Sequence, residues 1–137
     1  MSWTQSLIKL STYEVETLQK RLAEIADQRV AIEMRLGVLE AEGQAEQAAA
    51  AQDPQNGWRI VSYLEALKLR KAQVEAELRV VELEEQGARD ALSQAFESQK
   101  KYEQIAEQAQ TLALKEAGRR ETAQLDELGL RRAGASR

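Results

Sequence analysis

The chain has 137 residues and a net charge of −4, with 43% hydrophobic, 31% charged and only 4% aromatic residues. So few rings argue against a compact globular core, and an acidic balance gives no general reason to expect nucleic acid. Cysteine and histidine are both absent, which removes disulfides, thiolate chemistry and the usual zinc ligands.

The N-terminus, MSWTQSLIKL, has no apolar run of signal-peptide length, and no stretch of 18 apolar residues occurs. The expectation is a soluble, unexported chain without direct membrane insertion. Ala, Glu, Gln, Leu, Arg and Lys dominate, and all lose little on entering a helix, so propensity points to helix almost throughout.

The first predicted element is a helix over residues 4–50. Ile8, Val15, Leu22, Arg29 and Leu36 recur in sevens, as do Ser11, Leu18, Ile25, Ile32 and Leu39. Alternate spacings of three and four place them on one narrow seam, the pattern of coiled-coil packing. Glu14, Arg21, Gln28, Glu33, Arg35 and Glu40 supply charged and polar margins.

A turn is predicted over 52–57. Pro54, the only proline, would cost roughly 3 kcal/mol inside a helix, whereas Asp-Pro-Gln-Asn-Gly carries turn chemistry at each position. A short connection of this kind suits two antiparallel helices.

The second helix is predicted over 58–125, with residues 1–128 forming one hairpin and 129–137 a flexible tail weakened by Gly129 and Gly134. Its seam runs through Leu64, Leu67, Lys71, Val74, Leu78, Val81, Glu85, Ala88, Leu92 and Ala95. Beyond Phe96 the apolar positions become Tyr102, Ile105, Ala109 and Leu112, which predicts a stutter in the heptads. The fold class is therefore all-α, an antiparallel coiled-coil hairpin whose second helix is the longer.

Folding about the turn pairs residues whose numbers add to about 110, so Leu36 meets Val74 and Leu18 meets Leu92. Arg29 and Glu85 are charges on their own seams, within about one turn of each other. Either they pair and fix the register, with Glu82 as a second candidate partner, or the Arg29 stem packs while its head reaches water. Two helices alone bury too little, and residues past 106, with no helix opposite, are the expected place for a partner to dock.

Carboxylates lie at exposed helical spacings beside Lys or Arg, and no Gly-rich phosphate loop is present, so no enzyme and no cofactor are expected. Trp58, Tyr63, Ile60, Val61, Leu64 and Leu67 cluster behind the turn, opposite the alanine-rich stretch 48–51. Trp58 either staples the turn or belongs to an exposed docking patch. Trp3, Tyr13 and Tyr102 form a second aromatic group. The scattered cations of the last third, interleaved with acids, are thin support for an anionic-surface binder.

SLIKLSTYEVETLQKRLAEI, residues 6–25, resembles the opening of the flagellar export protein FliJ family. NGWRIVSYLEALKLRKAQVEAEL, residues 56–78, resembles that family's second signature, Trp and Tyr behind a turn followed by leucines at helical spacing. The resemblance implies a non-enzymatic stalk of the flagellar type III export apparatus, needed for flagellum assembly, motility and chemotaxis. It would act as a monomer in the cytoplasm, peripherally associated with the inner face of the cell membrane at the flagellar base.

The implied partners are the export ATPase FliI, the export gate protein FlhA and substrate chaperones. Carried over by pattern, Trp58, Tyr63, Leu64, Leu67 and Val74 would face the gate, with Arg70 and Lys71 interrupting that apolar face. Leu7, Leu10, Tyr13, Tyr102, Ile105, Leu112, Arg119 and Arg120 would face the ATPase. The competing expectation is a parallel coiled-coil homodimer acting as scaffold or tether, which would have to carry Pro54 in mid-helix.

Overall fold

A computed structural model of the chain describes residues 2–135. Helix α1 spans Trp3–Gln52, a 3-10 turn spans Pro54–Asn56, and helix α2 spans Gly57–Ala135. Among the described residues there is no strand. Their packing divides into two units: Val15–Gln94, and Met1–Glu14 with Ala95–Arg137.

Val15–Gln94 is an antiparallel hairpin. Its reversal begins at Asp53, whose extended backbone (φ −136°, ψ 77°) leaves the helix, and Pro54 then opens the 3-10 turn. A proline is suited to a first turn because its missing N–H and fixed φ cost nothing there. The Asn56 amide donates to the Asp53 carboxylate at 2.8 Å. Gly57 is helical (φ −59°, ψ −23°), so the turn makes no use of glycine's left-handed freedom. The parallel rod with Pro54 in mid-helix is not the structure, because α1 ends at Gln52.

The seam of this hairpin is the one the heptads predict. Val15, Ile25, Ile32, Leu67 and Val74 are buried, and Leu18, Leu22, Leu36, Leu39, Leu64, Leu78, Val81 and Leu92 are half-buried. The register also agrees, since a Cβ built on Gly43 would stand 2.5 Å from Leu67 Cδ2. At that layer only a residue without a side chain lets the leucine lie against the facing backbone. Arg35 Nη1 donates to Glu77 Oε2 at 2.6 Å across the same pair of helices.

In the other unit, residues up to Glu14 pack with the part of α2 that starts at Ala95. Thr4, Ser11 and Ala95 are buried, and Gln99 Nε2 donates to Thr12 Oγ1 at 3.1 Å. Ser11 sits on the seam because its hydroxyl turns back to donate to the Ile8 carbonyl at 2.9 Å.

Here the structure corrects the expected stutter. The heptads continue in phase through Gln99, Tyr102 and Ala106, which are half-buried, while Ile105 is 39% and Leu112 61% exposed. The facing residues are small and hydroxylated, so a glutamine satisfied by Thr12 holds a seam position that an apolar count passes over. From residue 107 to 135 every side chain is exposed.

The end of α2 is also corrected. Helix continues ten residues beyond the expected 125, to Ala135, and includes 129–135 of the expected tail; residues 136–137 lie outside the described residues. Gly118, Gly129 and Gly134 are isolated among Ala, Leu, Glu and Arg, and single glycines weaken a helix by only about 1 kcal/mol each. Arg131 and Glu127, one turn apart and 2.9 Å between charged atoms, support the same stretch.

Candidate partner-docking surfaces

The residues behind the turn separate by burial. Leu67 and Val74 belong to the seam, and Ile60, Tyr63 and Leu64 are half-buried. Ile60 and Tyr63 line a cleft of about 430 Å³ with Ala49 and Ala50, whose methyl groups leave room that larger side chains would fill. Trp58 is 68% exposed and Val61 58%. Arg59 lies 5.2 Å from the centroid of the Trp58 ring, a cation–π distance. So exposed an indole does not staple the turn.

Further along the same hairpin, Met34, Val38, Leu39 and Val74 line a groove of about 460 Å³ beside the Arg35–Glu77 ion pair. Two of its members, Met34 and Val38, have more than half of their surface in solvent.

Arg29 and Glu85 do meet. Arg29 Nε donates to Glu85 Oε2 at 2.6 Å and Arg29 Nη1 to Glu33 Oε1 at 2.9 Å. Arg89 Nη2 donates to the other oxygen of Glu85 at 2.7 Å. Two acids and two arginines thus close a neutral network around Glu85, which is only 5% exposed. Hydrogen bonds to Glu85 and then to Glu33 raise the Arg29 pKa above its ordinary value. The Arg29 side chain keeps 29% of its surface, so pairing and partial solvation occur together, and Glu85 rather than Glu82 is the partner.

All eight residues carried over as ATPase-facing fall in the unit formed by Met1–Glu14 and Ala95–Arg137. Leu7 and Tyr102 are half-buried. Leu10, Tyr13 and Leu112 each expose more than 60% of their surface, Ile105 exposes 39%, and Arg119 and Arg120 are exposed. Trp3, 64% exposed, shares a helix face with Leu10, one heptad on. Exposed rings and leucines at helical spacing are the composition of a surface that another chain covers.

This chain is 53% identical over 131 residues to proteins named flagellar FliJ protein from two strains of Caulobacter vibrioides, covering 96% of this chain and 94% of each relative. It belongs to the FliJ family. No family model matches the chain, and no solved structure matches it. The relatives match almost end to end, so the greater part of both units lies within the shared length. Among the described residues of this flagellar protein, no helix is long and apolar enough to cross a membrane.

Sequence reading missed three features. Glu33 and Arg89 complete the Arg29–Glu85 network, and their spacing of four from Arg29 and Glu85 was the available signal. The Arg35–Glu77 bond could have been found by extending the register to the seam margins. Leu69, Val80 and Leu83, all exposed on α2, form a second apolar row that seam counting does not examine.

Proposed function

We propose that the chain is a non-enzymatic component of flagellar type III protein export, a stalk-like coiled coil that couples the export ATPase FliI to the gate protein FlhA. What supports this reading is family membership together with one observation: helix 107–135 has no buried residue, while Leu10, Tyr13 and Leu112 of the same unit are open to solvent. A helix so devoid of packing gains most of its stability when another protein covers it.

In this reading the ATPase covers Leu7, Leu10, Tyr13, Tyr102, Ile105 and Leu112, with Arg119 and Arg120 meeting carboxylates of the ring. The gate takes Trp58 and Tyr63 as anchors, with Leu64 beside them and Leu67 and Val74 holding the helix surface from beneath. Substrate chaperones are a further class of partner. The chain works in the cytoplasm, held peripherally at the inner face of the cell membrane at the flagellar base, and motility depends on it.

The test is co-purification with the export ATPase and measurement of ATP hydrolysis. Wild-type chain should form a complex and raise hydrolysis. Leu10→Asp with Tyr13→Ala should lose both effects while circular dichroism stays helical. No complex and unchanged hydrolysis with the wild-type chain would refute the proposal.

A further inference from the structure

The outer face of α2 within Val15–Gln94 carries an apolar row that the seam does not use. Trp58, Leu69 and Val80 are spaced by eleven residues, and so are Val61, Ala72 and Leu83. Eleven residues make three helical turns almost evenly, so these side chains stay on one side of the helix. The five large members are between 56% and 74% exposed.

Charges flank the row in a particular order. Arg59 and Lys68 precede its middle, whereas Glu75 and Glu84 follow it, and none of the four is in an ion pair among the described residues. By helical phase Arg59 and Glu84 share one flank, and Lys68 and Glu75 share the other. In an antiparallel pair of identical helices, like flanks face each other. Residues whose numbers add to about 143 then meet, which sets Arg59 against Glu84 and Lys68 against Glu75, each twice.

The same alignment relates sizes. Trp58 falls between Leu83 and Gly87 of the second copy, and Leu69 falls between Ala72 and Ala76, so each of these large side chains has at least one small residue opposite it. The two charges within the row, Glu65 and Arg79, come opposite each other. A parallel in-register pair would instead stack Trp58 on Trp58 and Glu65 on Glu65.

We infer that this face binds a second copy of the chain, antiparallel, with the two-fold axis passing between residues 71 and 72. The inference does not depend on the export role. It has a consequence for it, because a paired chain covers Trp58 and cannot offer that ring to another protein.

Sedimentation equilibrium of the full chain, from low micromolar to several hundred micromolar, tests the pairing. The expected result is a concentration-dependent dimer. Leu69→Lys with Val80→Lys, both at exposed positions, should weaken it at least tenfold with helicity unchanged. Lys68→Glu should weaken it, and adding Glu75→Lys should restore it. Orientation is read by disulfide formation, since the chain has no cysteine of its own. Ala72→Cys should cross-link across the axis, whereas Val61→Cys, displaced about 30 Å from its counterpart, should not. A monomer at every concentration, a dimer indifferent to the lysines, no rescue by the charge swap, or equal cross-linking at both positions would overturn the inference.

Discussion

Two stretches of α2 have similar composition and different fates. Up to Ala106 the helix keeps a buried or half-buried residue every three or four positions, and from 107 to 135 it keeps none. Leu114, Leu125 and Leu130 are as apolar as Leu67, yet each is at least 67% exposed while Leu67 is 3% exposed. A leucine contributes to folding only where something faces it. The contrast separates residues that specify the hairpin from residues free to meet other molecules.

The largest expected effect lies in the seam. Ile25 is 3% exposed, and Ile25→Ala should cost about 3 kcal/mol in urea unfolding, the range for emptying a buried aliphatic site. The matching change beyond the seam, Leu114→Ala, should move the same transition by less than about 0.5 kcal/mol. Equal losses would mean that helix 107–135 is packed after all.

Two glycines sharpen the comparison at a smaller scale. Gly37 has open space around it, so Gly37→Ala should stabilise the helix by about 0.5 to 1 kcal/mol. Gly43→Ala should fail to give that gain and lose about 1 kcal/mol instead, because the new methyl meets Leu67 Cδ2 at 2.5 Å. Thermal or urea melts of the two variants check the difference in sign.

The Glu85 network is expected to act on alignment more than on stability. Replacing Arg29 and Glu85 together by leucine should raise the melting temperature slightly, since an apolar layer needs no desolvation of charge. It should also broaden the inter-helix distances measured by paired spin labels. Lower stability with an unchanged distance distribution would assign the network a stabilising role instead.

The seam was legible in the sequence because its signal is redundant: from Ile8 to Leu39 eight of ten positions are aliphatic, and Pro54 fixes where the chain reverses. The register followed from those two facts. Gln99 was not legible, because its place on the seam depends on Thr12 across the pair, and polar satisfaction between distant residues leaves no periodic trace. The end of α2 was missed because glycines were weighed singly, without the helix formers between them. Of the docking surfaces, the aromatic clusters were visible as composition, but which rings are exposed was decided by packing. Trp58 and Tyr63 are five positions apart in one motif and differ in burial.

The antiparallel hairpin of Val15–Gln94 is tested most directly by double electron–electron resonance on a chain carrying spin labels at Arg35 and Glu77, diluted into unlabelled protein. These positions are 42 residues apart in sequence, and their side chains meet at 2.6 Å. Neighbouring helices lie about 8 to 10 Å apart, so a narrow label distance within about 20 Å is expected. A distance on the order of 60 Å, the span of that many residues in an unbroken helix, would contradict the account.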